Sequence, residues 1–286
     1  MEICASRKGK CQILFCAISV SSWFINQLGG FVLPFQIIRG KRIFYESVGQ
    51  GLPVVFIHGS MGSHISWDLQ RALSSNYNLI FLDLPGHGMS DPIEDEVSVK
   101  LFADYVAEFV RGLGIESMVA VGHSLGGAIC IQLALDYPEL MRGLVLVGTG
   151  AKLGVLPTIL EALKTNFRES VDLAIGSMAF AENADPKIVD LAKEECLKCN
   201  PKVAYSDFAA CNKFDVRDRI SEISVPTLII VGSEDKLTPV KWSRYLNEKI
   251  SKSSLKIVEN AGHMVMIEQP EEFNRATINF LNGLQD

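Results

Sequence analysis

The chain has 286 residues, of which 48% are hydrophobic and 21% charged, with a formal net charge of −6. That much apolar content excludes a disordered chain, and the acidic balance without a basic stripe excludes nucleic acid as a natural partner. The length suits one α/β domain carrying an insertion, and the seven scattered cysteines do not form a disulfide framework.

Residues 1–33 stand apart. Arg7, Lys8 and Lys10 precede the apolar run Ile13–Ile25, which has the length and flank of a signal peptide but no clear small-x-small cleavage site. A signal, a weak anchor and a packed helix all stay open, and any membrane contact is expected only through residues 11–33. A cytoplasmic protein is expected, with an exported or anchored one as the alternative.

From Phe35 onward the pattern is regular. Phe35–Arg39 and Arg42–Val48 flank Gly40-Lys41 and predict a hairpin. Val54–Ile57, Leu79–Leu82, Met118–Val121, Leu144–Val147, Thr227–Val231 and Leu255–Val258 predict successive parallel strands, separated by helical stretches with Gly, Pro or Asn at their ends. Continuous apolar strands alternating with helices describe a sheet covered on both faces.

The segment Leu153–Asp215 breaks that rhythm. Leu156, Ile159, Leu160 and Leu163, and then Ile188, Leu191 and Ala192, recur at helical spacing, and no strand-like run intervenes. It reads as a helical cap, with Leu153, Leu156, Met178 and Phe180 as candidates for facing a cavity. Cys196-Leu197-Lys198-Cys199 has no second pair and no nearby histidine, so no metal site is expected; a structural zinc needs four ligands.

The chemistry centres on Gly122-His123-Ser124-Leu125-Gly126-Gly127, a G-x-S-x-G turn between the strand at 118–121 and an apolar helix. A turn this tight strains the serine backbone and needs small neighbours, and it leaves the hydroxyl over a helix N-terminus. A serine hydroxyl needs a base to take its proton. In enzymes built on this turn the chain order is serine, acid, histidine, and only His263 follows Ser124. Asp235 is the best-placed acid, in the loop after the apolar run ending at Gly232; Glu234 is the runner-up, and a capping role for Asp235 is compatible with its position. The oxyanion donors are assigned to the amides of Leu125 and Ser60, with Met61 as the alternative to Ser60. His58 is expected to brace its loop, and His123 to be structural or pocket-lining. Met61, His123 and Met264 are the expected substrate contacts.

His58-Gly59, the run Asp83–Ser90, the Ser124 turn, the Asp235 loop and Asn260-Ala261-Gly262-His263 together resemble the α/β-hydrolase family over about residues 34–286. The resemblance implies the α/β-hydrolase fold: an eight-stranded, mostly parallel sheet flanked by helices. Its core would span 34–152 and 216–286, with a helical cap at 153–215. It implies a serine hydrolase that needs no cofactor and acts on a small-molecule ester. Lactonase and carbon–carbon bond hydrolase are the alternatives, and a non-enzymatic ligand receptor is a remote one. Serine at 124 argues against haloalkane dehalogenase and epoxide hydrolase, whose family members carry aspartate there.

Overall fold

The computed structural model describes residues 35–284, so the expectations for residues 1–33 lie outside the described residues. Eight strands form one sheet: β1 (Phe35–Ile38), β2 (Lys41–Val48), β3 (Leu52–Ile57), β4 (Tyr77–Leu82), β5 (Met118–His123), β6 (Met141–Val147), β7 (Thr227–Gly232) and β8 (Ser253–Val258). Their order is β1-β2-β4-β3-β5-β6-β7-β8. The β1–β2 and β2–β4 pairs are antiparallel and all the others parallel.

The helices are α1 (Val99–Gly112), α2 (Leu125–Asp136), α3 (Pro157–Thr165), α4 (Phe167–Val171), α5 (Pro186–Cys196), α6 (Pro201–Lys213), α7 (Val240–Lys249), α8 (Val265–Glu268) and α9 (Pro270–Asn282). Residues 64–75, between β3 and β4, wind as a tighter 3-10 run. Several starts are written in the sequence. The Ser98 hydroxyl accepts the Leu101 amide at the head of α1. Asp185-Pro186 and Asn200-Pro201 open α5 and α6 with a side-chain cap followed by proline, which has no N–H to lose in a first turn.

The period of two along each strand sorts the core into two faces. Val55, Ile57, Ile80, Leu82, Ala120, Leu144 and Leu146 pack with α1 and α2 on one side. Val54, Phe56, Leu79, Phe81, Val119, Val121, Val145 and Val147 meet Trp67, α8 and α9 on the other. Nearly every residue of α2 is buried, in line with a helix that is apolar all round.

A helical insertion, α3 to α6, leaves the sheet after β6 and returns before β7. Its neck is a short antiparallel contact of Lys152 with Asp215, in which the Val216 amide donates to the Ala151 carbonyl at 2.8 Å. The insertion has its own apolar cluster of Ile159, Leu163, Val171, Ile175, Phe180 and Ala204, which also takes in Met61. Three sequence expectations differ here. Leu156 is 49% exposed at the start of α3 and turns to solvent, and Leu191 on α5 is 40% exposed despite its helical spacing. Leu153 packs into the main core instead of the insertion. Among the described residues no helix is long and apolar enough to cross a membrane.

The strand order reverses around β3, with β4 on one side and β5 on the other. Loops leaving the carboxyl ends of strands at such a switch point diverge and open a crevice. The loops after β3, β5, β7 and β8 carry Ser60, Ser124, Asp235 and His263 respectively.

Candidate active site

Ser124 joins β5 to α2 with φ +53°, in the left-handed region that a side chain rarely adopts. Surrounding bonds hold it there. Its amide donates to the Val147 carbonyl at 2.9 Å, and its carbonyl accepts the Thr149 hydroxyl at 2.9 Å. The flanking glycines are steric necessities: a methyl on Gly122 would run into the Gly126 carbonyl, and one on Gly126 into the Ile57 carbonyl. The turn thus sits against the end of β3, and a methyl on Gly59 would lie 3.3 Å from the Ser124 Cβ.

Asp235 is buried and uses both oxygens. Oδ1 accepts the amides of Leu237 at 2.9 Å and Thr238 at 2.7 Å, closing the loop on itself. Oδ2 accepts the Thr238 hydroxyl at 2.7 Å and faces His263 Nδ1 at 2.9 Å. The capping role is therefore local to this loop, since α7 starts only at Val240 behind Pro239. Burial alone would raise the Asp235 carboxyl; the His263 ring and the hydrogen bonds from His263 and Thr238 outweigh it and bring it down to about 2. Glu234 turns away and accepts the Glu182 amide of the insertion at 2.9 Å.

These contacts define the His263 tautomer. Thr238 spends its one proton on Asp235, so its oxygen, 3.1 Å from His263 Nδ1, can only accept. Nδ1 therefore carries a hydrogen, shared between Asp235 and Thr238, and in the neutral ring the lone pair is on Nε2. The ring is also held from behind. His123 is buried and its Nε2–H donates to the His263 carbonyl at 3.0 Å. Burial, with His263 nearby, pushes the His123 pKa down to about 3, so it braces as a neutral ring. The insertion contributes as well: the His263 and Met264 amides donate to the Ala179 carbonyl at 2.8 and 3.1 Å. The Glu268 carboxylate ties the Gly262 and Ala181 amides together, each at 2.8 Å.

No hydrogen bond joins the Ser124 hydroxyl to His263. The two are kept in register through shared neighbours, because His123 adjoins Ser124 and packs its ring 4.6 Å from that of His263. Such bonds often tighten only in the substrate complex.

The loop after β3 is tied by the His58 ring. His58 Nδ1–H donates to the Gly59 carbonyl at 2.8 Å, while Nε2 accepts the Leu84 amide at 3.0 Å. Burial, and then the neighbouring His87 ring, hold His58 at about 3, so it is neutral. Of the two candidate donors here, the Met61 amide is engaged: it donates to Asp207 Oδ2 at 3.4 Å, from a residue at φ +60°. Among the described residues the amides of Ser60 and Leu125 have no protein acceptor, and Leu125 opens α2, where the helix dipole is positive. Met61 is buried and Met264 half-buried, and both touch the apolar cluster of the insertion. A cleft of about 350 Å³ lies between the insertion and the Asp235 loop, lined by Phe180, Ala181, Val189 and Lys236; Ser124 is not among its lining residues.

Sequence reasoning missed Thr238, Glu268 and Asp207. The first had a local signal, a threonine three residues after the aspartate, which is the spacing of a side chain that closes its own turn. The other two depend on partners far away in the chain, His87 for Asp207 and Ala181 for Glu268, and have none.

The sequence model of the alpha/beta hydrolase family matches residues 54–276. The chain belongs to that family. Among its alpha/beta hydrolase relatives is the 3-oxoadipate enol-lactonase 1 of Acinetobacter baylyi, 28% identical over 86% of this chain and 96% of its own. Another is the 2-hydroxy-6-oxo-6-phenylhexa-2,4-dienoate hydrolase of Comamonas testosteroni, 27% identical over 84% of this chain and 91% of its own. A solved structure of a thermophilic esterase is 38% identical, with a TM-score of 0.79 over 87% of this chain and 97% of that one. The similar proteins thus include an enol-lactonase, a dienoate hydrolase and an esterase.

Proposed function

We propose that this hydrolase cleaves a small carboxylic ester through an acyl-enzyme formed on Ser124. The observation that carries the reading is the strained Ser124 turn beside a buried Asp235–His263 pair, 2.9 Å apart, whose neutral ring has its lone pair on Nε2. In this reading His263 Nε2 takes the Ser124 proton as the oxygen attacks the ester carbonyl. Asp235 stabilises the imidazolium that results. The Ser60 and Leu125 amides receive the oxyanion. His263 then protonates the departing alcohol, and the carbon–oxygen bond breaks. A water, deprotonated by the same nitrogen, attacks the acyl-enzyme and releases the acid and the serine.

The insertion serves as a cap. Its apolar cluster, with Met61 and Met264 beneath it, favours a substrate with an apolar acyl or alcohol group. His123 acts by bracing the His263 loop. Enol-lactone and carbon–carbon substrates form the second reading, favoured by the similarity to an enol-lactonase and to a 2-hydroxy-6-oxo-6-phenylhexa-2,4-dienoate hydrolase.

The test is hydrolysis of p-nitrophenyl esters of increasing acyl length, wild type beside Ser124→Ala. Serine-dependent turnover peaking at one length is expected, with a loss of about 10³-fold or more in the variant. Full activity in Ser124→Ala would overturn the nucleophile. Absence of ester turnover in the wild type would move the assignment to the lactone and carbon–carbon classes.

A further inference from the structure

Asp207 is a fully buried carboxylate on α6 that the mechanism above does not use. It reaches out of the insertion into the core. One oxygen, Oδ2, accepts from both His87 Nε2, at 2.8 Å, and the Met61 amide, at 3.4 Å. The other, Oδ1, is buried without a partner. An acid placed so is expensive, and orphaned buried polar atoms call for a functional explanation.

Its surroundings supply one. Val203, Asp207 and Cys211 fall at intervals of four and share one face of α6. All three meet the loops after β3 and β4. A methyl on Gly86 would lie 3.3 Å from the Val203 side chain. Cys211 Sγ is 3.9 Å from the Ser60 hydroxyl. One helix face of the insertion therefore rests on both Ser60 and Met61.

The charge is balanced on the spot. His87 Nδ1 lies 3.2 Å from the Pro85 carbonyl and Nε2 points at Asp207. Both partners are acceptors, so the ring carries two protons and the pair is an imidazolium and a carboxylate. Burial opposes that charge, and the Asp207 carboxylate outweighs it and raises the His87 pKa. Without His87, a bare carboxylate beside the oxyanion donors would repel the charge that develops there.

We propose that Asp207 is a positioning residue for the oxyanion loop: delivered by α6 and neutralised by His87, it fixes the Met61 amide and thereby aims the Ser60 amide before it at the oxyanion. The oxyanion hole is then complete only with α6 docked on this loop. The inference rests on the ester-hydrolase reading and on Ser60 as a donor.

The test compares Asp207→Leu, which keeps volume and loses the acceptor, with Asp207→Asn. With its carbonyl oxygen in the place of Oδ2, asparagine still accepts both the Met61 amide and His87 Nε2–H, and its NH2 takes the place of the unpartnered Oδ1. Active serine is titrated with a fluorophosphonate, so kcat is per competent site. Affinity for a boronic acid, which forms a tetrahedral adduct, reports the oxyanion hole directly. Asp207→Leu should lower kcat about 10- to 100-fold, part of the loss for a missing oxyanion donor, with KM within about threefold. Boronate affinity should fall by the same factor as kcat/KM. Asp207→Asn should keep at least about a third of the wild-type kcat, because the acceptor survives. If Asp207→Leu yields no folded protein, Asp207→Ser, too short to reach the amide, carries the same expectation. A kcat within about twofold of wild type in the truncated variant, whatever its stability, overturns the proposal. So does an equal loss in both variants, or a loss of kcat with boronate affinity unchanged. Failure of the wild type to turn over esters or to react with the fluorophosphonate would instead overturn the ester-hydrolase reading.

Discussion

Acid should unfold this protein through two histidines that stay uncharged in the native state. His58 and His123 are buried, and their pKa values are held at about 3. Burial is the largest cause in each, and a second histidine adds to it. The hydrogen bonds of His58 agree with one proton on that ring, since its Nε2 accepts an amide. In the unfolded chain both return to about 6.5. Between those values the unfolded state binds two more protons than the native one, so stability falls as pH falls. From pH 6 to pH 5 the pair should remove about 2 kcal/mol, approaching a limiting slope of about 2.7 kcal/mol per pH unit. That is a large share of the roughly 5–15 kcal/mol that holds a domain together.

His64 and His87 have the opposite sign. Burial works against their charge, but Asp83 and Asp207 outweigh it and raise both. Their contribution is fully present below the unfolded value and is lost as pH rises through the native one, so they offset the loss near neutrality and not below about pH 6. Asp235, lowered to about 2, keeps its contribution down to about pH 4 and gives it up between there and pH 2. Urea unfolding at half-unit steps from pH 6.5 to 5 reads the slope directly, provided the dependence on urea stays constant. A stability that changes by less than about 0.5 kcal/mol between pH 6 and 5, or ring protons of His58 and His123 that titrate near 6 by NMR, would refute the reasoning.

Two further predictions concern the Asp235–His263 pair. Thr238→Val removes the hydroxyl that donates to Asp235 at 2.7 Å and shares the His263 proton; hydrogen bonds to charged groups contribute about 1.5–3 kcal/mol, so kcat should fall about tenfold or more, and unchanged steady-state kinetics would count against it. Gly148→Ala places a methyl 3.1 Å from His263 Nδ1 and 3.3 Å from Asp235 Oδ2 at a residue with φ +50°. The backbone alone costs about 1–2 kcal/mol, so both Tm and kcat should drop, whereas Gly154→Ala, with open space around it, should leave both in place; equal behaviour of the two variants would falsify the steric account.

What could be read from the amino-acid sequence divides by how far a residue reaches for its partners. The strands announce themselves because their apolar runs are buried on both faces. Val54–Ile57 and Met118–Val121 sit at the centre of the sheet, as their composition requires. The start of β4 was harder: Tyr77 and Asn78 are polar enough to pass for loop, yet Asn78 pairs with Pro53 in the ladder and accepts the Ser47 hydroxyl at its side chain. Leu191 fails in the other direction, since helical spacing marks a stripe but does not say that anything will cover it.

The same division runs through the site. The Ser124 turn is legible because strand, glycines and helix are contiguous and each restricts the next. Asp235 is legible for its place after an apolar run, and its bonds to the Leu237 and Thr238 amides are local ones. Asp207 has no such signature. It lies in an ordinary helical stretch, and its burial depends on His87, 120 residues earlier in the chain. Glu268 likewise gains its meaning from the Ala181 amide, 87 residues away. The choice between Ser60 and Met61 as oxyanion donor was open in the sequence for this reason: the two amides are adjacent and chemically identical. Only the carboxylate arriving from the insertion engages one of them and leaves the other free.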